Sequence, residues 1–388
     1  MMIKPLSVWH RFALSFNDAR PEYSTGPWFT MNAVVEVRGP LDVSRLDRAF
    51  QDLVKRNDLL RTRLEDGKQV IRPDVPVKLE LFDDDELLHV PVDAGSLTPI
   101  RLRLRRIETD QHMLCLHIHH LMADPVTLWA LLDELAALYR GPLPAPLAQY
   151  WQYAEEQEHL LANGRAAAEE WWQKFAGIGE FAGPPDTPAE NFALRQRILD
   201  ADEVREMERF SRAHRGSMFV SVLAGFAVAM EPFLWPGDHV LFNTLFSRRN
   251  RREWRALPGP CTVPAYIPLP RPPASLSGEY VAAVRDVVLG AQQHVMDPPT
   301  TAACPFVEYL MDARPQALAF GEAMGAVVDA AGPRDIGRAG ALGIRARRTS
   351  DGELFVHLSG NGIGWSKERV LTVCEKLPWR SPISTEVS

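Results

Sequence analysis

The chain has 388 residues, more than a single hydrophobic core usually holds, so two domains are expected. Its hydrophobic content of 46% and charged content of 24% are typical of a soluble globular protein. The formal net charge of −7 argues against nucleic acid as the main partner, because phosphate binding needs a basic surface.

The first third of the chain predicts a strand, a helix and several mostly antiparallel strands. The strand covers residues 31–38, and the helix at 41–57 has one apolar side. Further strands are predicted within 61–73 and 75–83, with a tight turn at Asp66-Gly67. The alternating segment 100–107 is expected to pair with the strand that follows it.

The stretch from His112 to Gly141 predicts a buried strand, a histidine pair, a short corner and an amphipathic helix. Residues alternate between two faces along the strand up to His120, which ends the more apolar row. Asp124 suits a helix N-cap, and Pro125 suits the first helical position, where no N–H is needed. Leucines then recur at helical spacing until Gly141, which ends the helix.

The rest of the chain repeats an α+β pattern loosely. Helices are predicted at 146–175, 201–216, 217–235, 280–295 and 367–377, and strands at 239–247 and 352–360. The proline-rich segment Gly183–Glu190 can hold neither a helix nor a central strand, so the domain boundary is placed near it. We therefore predict an N-terminal lobe at 1–178, which carries the histidine pair, and a C-terminal lobe at 179–388.

Neither a disulfide framework nor a membrane segment is expected. The four cysteines lie far apart without a CxxC pair, which indicates reduced thiols. No run approaches the ~18 apolar residues that span a bilayer, and the N-terminus has no signal-peptide pattern. These features predict a cytoplasmic protein.

Four segments, in the same order, resemble the motifs of the condensation-domain family of nonribosomal peptide synthesis, relatives of the chloramphenicol-acetyltransferase-like acyltransferases. They are HHLMAD at 119–124, similar to HHxxxD; RNDLLRT at 56–62, similar to RHExLRT; LFNTLFSRR at 241–249, similar to FGTxxSGR; and CPFVE at 304–308, similar to PFE. HHxxxD alone is a weak signal, and three further matches in order make it much stronger. The resemblance covers nearly the whole chain.

The resemblance implies an α+β fold of two chloramphenicol-acetyltransferase-like lobes, each a mixed sheet with helices, arranged as a V around a central tunnel. It makes His120 the reactive group, with His119 supporting the motif and Asp124 and Arg249 forming a structural ion pair. The acyl donor would be a thioester on the phosphopantetheine arm of a carrier protein, with no other cofactor. An amine or alcohol acceptor would enter from the opposite side.

The chemistry of the residues agrees with this assignment. An imidazole has a pKa near ~6.5, so His120 can take a proton from an attacking amine or hydroxyl. A thioester needs little activation, and no serine or cysteine has a nucleophile-elbow setting. Direct attack without an acyl-enzyme is therefore expected.

The predicted substrate and carrier contacts are Pro125, Ser247, Arg248 and Tyr266, and all except Ser247 lie where the sequence departs from the family motifs. Pro125 replaces the family's glycine and has no backbone N–H that could stabilise a developing negative charge. Arg248 replaces another glycine, and the family's NTxPxR segment is AYIPLP at 265–270. These changes leave open a reduced or redirected activity.

Plainer interpretations accompany the functional ones. An isolated histidine at a strand end would more often be a core residue than a reactive one. His117 and His119 share a strand face, but no third ligand accompanies them, so no metal site is predicted. The arginines between 248 and 255 form either a patch for an acidic carrier protein or a solvated loop.

We therefore predict a freestanding condensation enzyme that forms an amide or ester in natural-product biosynthesis. A first alternative is an inactive condensation-like module that binds a carrier-bound peptide and recruits a tailoring enzyme. A second is an acyltransferase that uses coenzyme A thioesters.

Overall fold

The computed structural model describes residues 1–19, 21–83, 88–175, 178–179, 191–234, 237–296, 304–310, 314–328, 342–360 and 365–379. The chain divides into two compact units. The first comprises Met1–Leu160, Ser247–Val263 and Ala313–Ile336, and the second Leu161–Phe246, Pro264–Asp312 and Gly337–Ser388. Each unit contains a mixed sheet with helices, so the α+β class is confirmed.

Both units contain strands from distant parts of the chain. The strands are β1 Met2–Pro5, β2 Thr30–Arg38, β3 Thr62–Glu65, β4 Lys68–Ile71, β5 Glu80–Leu81, β6 Ile100–Glu108, β7 Gln111–His119, β8 Ile178–Gly179, β9 Phe192–Leu199, β10 His239–Ser247, β11 Thr262–Pro270, β12 Phe306–Leu310, β13 Leu318–Phe320, β14 Ala323–Val328, β15 Gly343–Arg348 and β16 Leu354–Gly360. The helices are α1 Val8–Ala19, α2 Val43–Arg56, α3 Pro125–Arg140, α4 Tyr150–Trp172, α5 Ala201–Ala213, α6 Met218–Met230, α7 Gly278–Gln293 and α8 Lys367–Glu375.

The main sheet of the first unit has the order β13-β14-β2-β7-β6-β5. The strand β7, which leads to the histidine pair, lies inside this sheet between β2 and β6 and is antiparallel to both. Helices α2 and α3 cover one face and bury the leucines that the sequence places on their apolar sides. The end of β7 is therefore held by hydrogen bonds to β2 and β6 on its two edges and by the helices packed on one face of the sheet.

The sheet of the second unit has the order β11-β10-β12-β15-β16-β9, with β8 paired to β10. Its central pairs β10·β12 and β12·β15 are parallel, whereas β15·β16 and β16·β9 are antiparallel. The helix α6 is apolar on all sides, and every residue from Val220 to Met230 is buried. Among the described residues no single helix could cross a bilayer, and only Ala201–Ala213 with Met218–Phe233, bent by 101°, meets the length and composition criteria as a pair.

The local predictions hold for most elements and fail for one strand. The turn at Asp66-Gly67 joins β3 to β4, with φ values of 48° and 69° that a two-residue hairpin requires. The strand expected within 75–83 is regular only at Glu80–Leu81. Pro76 has no N–H to donate, which limits pairing in this edge segment.

The division of the chain into lobes 1–178 and 179–388 stays a prediction. The compact units are distributed differently along the chain, because residues 247–263 and 313–336 belong to the first unit. The segment Gly183–Glu190, near which the sequence predicts the domain boundary, lies outside the described residues.

Candidate active site

The histidine pair lies at the point where β7 ends. His119 is the last strand residue, and His120 begins a 3-10 turn over His120–Met122. The N–H of His120 donates to the carbonyl of Phe29 over 2.7 Å, and the N–H of Ala123 donates back to the carbonyl of His120 over 3.4 Å. The sequence predicts His120 at the end of the strand, and the structure places it one residue beyond the last strand residue, in the turn.

The imidazole of His120 has a defined tautomer. Its Nδ1 lies 2.7 Å from the carbonyl oxygen of Ala123. Because a carbonyl oxygen only accepts, Nδ1 carries the hydrogen, and in the neutral ring Nε2 holds the basic lone pair. The side chain is half-buried. Nε2 is therefore the nitrogen of this ring that can take a proton from a substrate.

Two aromatic side chains hold this imidazole in place. Phe29 stacks on His120 with 4.7 Å between ring centroids and an interplanar angle of 26°. Trp9 lies 5.3 Å away at 38°, and its indole N–H donates to the carbonyl of Leu121 over 3.1 Å. No sequence pattern indicates either residue, because only the fold brings α1 and the residue before β2 to this turn.

His119 interacts with backbone groups on the inner side of the turn. Its Nδ1 accepts the N–H of Leu121 over 3.3 Å, and its Nε2 lies 3.3 Å from the carbonyl oxygen of Gly26. Burial lowers the pKa of His119 to about 4, so the ring is neutral at neutral pH. A neutral ring with both nitrogens occupied holds the turn and is not placed to exchange protons with a substrate.

Asp124 caps helix α3 and is surrounded by donors. Its Oδ1 accepts the N–H of Thr127 over 2.8 Å, and its Oδ2 accepts the N–H of Cys261 over 3.1 Å. Nη2 of Arg249 lies 2.9 Å from both carboxylate oxygens. The hydroxyl of Thr127 lies 2.6 Å from Oδ1, and its oxygen accepts the N–H of Asp124 over 3.2 Å, which completes a capping box. Asp124 is thus a fully bonded structural carboxylate, and Thr127 is a partner that the sequence analysis missed.

Arg249 also organises the loop that follows β10. Nη1 donates to the carbonyls of Trp254 and Leu257 over 3.0 and 2.7 Å, and Nη2 donates to that of Gly259 over 2.8 Å. Gly259 has a φ of 139°, and a Cβ there would collide with the ring of Tyr150. A glycine is therefore required where this loop meets the cap of α3.

Pro125 is the first residue of α3 and is half-buried. It has no N–H, so the residue after Asp124 offers no backbone donor at this helix start. Any stabilisation of negative charge by an amide at that position is lost in this chain.

The predicted binding residues Ser247, Arg248 and Tyr266 have different environments. Ser247 is exposed, and its Oγ accepts the N–H of Arg249 over 3.4 Å. Arg248 is half-buried, and burial lowers its pKa although Tyr153 opposes this shift. Tyr266 lies on β11, where burial and Cys304 raise its pKa to about 12. Their roles in binding substrate or carrier protein stay predictions.

The basic run between 248 and 255 is divided between interior and surface. Arg249 is buried in the first unit, where it pairs with Asp124. Arg251 pairs with Glu156 over 2.6 Å. Arg252 and Arg255 are exposed. Only part of the run is therefore presented to solvent. In the described ranges no three His, Cys, Asp or Glu side chains are grouped so as to hold a metal ion.

Comparisons with known proteins identify relatives of this chain. A sequence model described as "Condensation domain" matches residues 23–296. Surfactin synthase subunit 1 of Bacillus subtilis (strain 168) is 26% identical over 284 residues, which is 66% of this chain and 8% of that protein. Tyrocidine synthase 2 of Brevibacillus parabrevis is 30% identical over 241 residues, which is 57% of this chain and 7% of that protein. The chain thus spans less than a tenth of these relatives.

Solved structures share the fold. The SgcC5 protein from Streptomyces globisporus matches with a TM-score of 0.77 and 19% identity, covering 97% of each chain. The X-domain solved in complex with OxyB from teicoplanin biosynthesis matches with a TM-score of 0.72 and 21% identity, covering 96% of this chain and 91% of that one. Because the family model covers more than half of the sequence and includes both the histidine pair and Arg249, the chain belongs to the condensation-domain family.

Proposed function

We propose that this chain catalyses acyl transfer in nonribosomal peptide or polyketide biosynthesis. The donor is an acyl or aminoacyl thioester on the phosphopantetheine arm of a carrier protein, and the acceptor is an amine or an alcohol. The family supports the general reaction, because condensation domains work with carrier-bound substrates. The observation that carries the proposal is the 2.7 Å contact between Nδ1 of His120 and the carbonyl oxygen of Ala123, from which we infer that Nε2 is the basic nitrogen of a positioned, half-buried ring.

The proposed reaction is a direct displacement. The acceptor nitrogen or oxygen attacks the thioester carbonyl while Nε2 of His120 takes its proton. The tetrahedral intermediate then collapses, the C–S bond breaks, and the imidazolium returns the proton to the departing thiolate. The products are an amide or ester and the free phosphopantetheine thiol, so protons and electrons balance without an oxidant.

Two buried cysteines and Asp124 do not compete with His120 for the reaction. Burial raises the pKa of Cys115 to about 11 and also raises that of Cys261, so neither thiol is a ready nucleophile. Both carboxylate oxygens of Asp124 accept hydrogen bonds from Arg249, so this carboxylate is engaged in the structural ion pair. This arrangement favours one proton-transferring group and no acyl-enzyme.

Substitution of His120 tests the proposal. We expect His120→Ala to abolish product formation in assays with aminoacyl-loaded carrier proteins and a panel of amine and alcohol acceptors, read by mass spectrometry. The matched control is His159→Ala, which removes an exposed histidine of α4. Unchanged circular dichroism with lost turnover supports the role of His120, and undiminished turnover in His120→Ala rejects it.

A second candidate function is a recruitment module without condensation activity. Pro125 favours it, because the missing N–H removes a donor next to the motif. If wild-type protein binds a peptidyl carrier protein and a tailoring oxidase in a pull-down but gives no product with any acceptor, this second function replaces the first. Product from acyl-coenzyme A without a carrier protein would instead reassign the donor.

A further inference from the structure

A pocket of about 610 Å³ opens in the first unit, away from the histidine pair. It lies between the start of α2, the edge strand β5 and the hairpin of β6 and β7. His112 lines it at the beginning of β7, whereas His120 follows the end of the same strand, roughly 25 Å away at about 3.3 Å per residue. The volume is in the usual range for small-molecule sites, roughly 300–1,000 Å³.

His112 is a buried polar side chain with unused hydrogen-bonding capacity. Only 3% of the residue is exposed, and among the described residues its Nδ1 has no hydrogen-bond partner. Burial, with Arg106 opposite on β6, lowers the pKa of His112, so the ring is neutral and has one donor and one acceptor nitrogen. Because Nδ1 is enclosed by protein atoms, a ligand in the pocket that His112 lines would reach the ring at its other nitrogen, Nε2.

The rim of the pocket carries one charge of each sign. Arg106 donates to the carbonyl of Glu108 over 3.3 Å, and Asp83 is exposed. Within the described part of the chain neither Arg106 nor Asp83 forms an ion pair with a side chain. A simple carboxylate would be opposed by Asp83, and a simple amine by Arg106. A ligand with both charges satisfies both groups.

The remaining wall is apolar and incompletely covered. It includes Leu41, Leu81 and Leu104. Leu81 is 69% exposed although it lies directly opposite the buried Leu104 on the neighbouring strand. An apolar group bound between the strands and α2 would remove this surface from water.

We propose that this pocket binds a free α-amino acid with a large apolar side chain. Its carboxylate accepts hydrogen bonds from Arg106 and His112, and its ammonium group pairs with Asp83. Its side chain contacts Leu41, Leu81 and Leu104. The site is separate from His120, so the proposal does not depend on the function proposed above.

Three probes with the same aromatic tail separate the contributions of the two charges. The full chain is titrated by calorimetry with L-phenylalanine, 3-phenylpropionate, which lacks the ammonium group, and phenethylamine, which lacks the carboxylate. L-Phenylalanine is expected to bind most tightly. Arg106→Gln weakens it about tenfold or more, since a charge-assisted bond is lost, and His112→Phe weakens it as well.

Asp83→Asn is expected to weaken the binding of L-phenylalanine, because the partner of the ammonium group is lost. The same variant should bind 3-phenylpropionate more tightly than wild type does, because the charge that opposes the carboxylate is removed. Arg165→Gln is the matched control, since it removes an exposed arginine of α4 that pairs with Glu169. His120→Ala retains binding. The absence of saturable binding of L-phenylalanine, or equal binding of 3-phenylpropionate, overturns the proposal, as does an Arg106→Gln variant that is folded and binds like wild type.

Discussion

Nη2 of Arg249 donates to both carboxylate oxygens of Asp124 over 2.9 Å, across 125 positions of the chain. Both side chains are less than a tenth exposed. The pair connects the loop after β10 to the first turn of α3, directly behind the turn that carries His120. The position of the proposed reactive ring therefore depends on an ion pair that takes no part in proton transfer.

Removal of this arginine is expected to destabilise the first unit strongly. Arg249→Met leaves the carboxylate of Asp124 buried without its cation, which costs about 3–5 kcal/mol. Arg251→Met is the matched control, because Arg251 pairs with Glu156 at the surface, and about 1 kcal/mol or less is expected there. Urea denaturation measures both values, and equal losses for the two variants would contradict the structural role of Arg249.

Restoring a backbone donor after Asp124 is expected to increase turnover. Pro125→Gly and Pro125→Ala both return an N–H to the start of α3, at a stability cost of about 1 kcal/mol. A donor there stabilises negative charge on the reacting carbonyl, so kcat in the loaded-carrier assay increases about tenfold or more. If only Pro125→Gly is faster, backbone flexibility and not the N–H is responsible, and unchanged kcat in both variants rejects the idea.

Buried histidines predict a loss of stability in acid. Burial lowers the pKa of His10 and His117 to about 3 and that of His119 to about 4. Unfolded histidines titrate near ~6.5, so between that pH and about 4 the unfolded chain binds more protons. The free energy of unfolding therefore decreases as the pH falls through this range, by up to about 1.4 kcal/mol per pH unit for each histidine.

Denaturant titrations at several pH values check this slope. His119→Gln keeps a hydrogen-bond donor near Gly26 but does not titrate, so the slope is expected to become shallower. The same substitution at the exposed His159 should leave it unchanged. A slope that His119→Gln does not alter would show that this ring is not buried in its neutral form.

A packing contact in the second unit gives a test of the fold. A Cβ at Gly225 of the buried helix α6 would collide with the indole of Trp379. Gly225→Ala is therefore expected to cost about 1–3 kcal/mol, although alanine is the better helix former. Gly164→Ala, in α4 with open space around it, should instead gain up to about 1 kcal/mol.

Combination with Trp379→Ala identifies the cause. Once the indole is absent, Gly225→Ala should cost much less than in the wild-type background, which a double-mutant cycle measures by denaturation. If the two substitutions lower the free energy of unfolding additively, the two residues are not in contact.

The bounds of helix α3 are predicted well, because they depend on residues that are close together in the sequence. Helix α3 begins after Asp124 with Pro125 and ends at Gly141, and all three signals lie within one short stretch. Thr127 is part of the same helix start, since a hydroxyl three residues after an N-cap can complete a capping box. This role is not among the features predicted from the sequence. The pairing of Asp124 with Arg249 came from the family resemblance and not from a local pattern.

The missed features depend on contacts between distant segments. Trp9 and Phe29 reach His120 from α1 and from the residue before β2, and no spacing in the sequence predicts that approach. Strand β14 pairs with β2 from almost 300 positions away, with Val34 opposite Val328. The sequence indicates only a strand position for His112, because its pocket forms where that strand meets α2, β5 and β6.

The place of β14 has a consequence for biosynthesis of the protein. During translation β2 emerges early, but the strand that closes its outer edge is made only when residues 323–328 leave the ribosome. Until then a row of unpaired amides and carbonyls faces solvent and can recruit strands from other chains. A fragment cut at residue 178 would keep that open edge permanently, so aggregation is the expected result of expressing it alone.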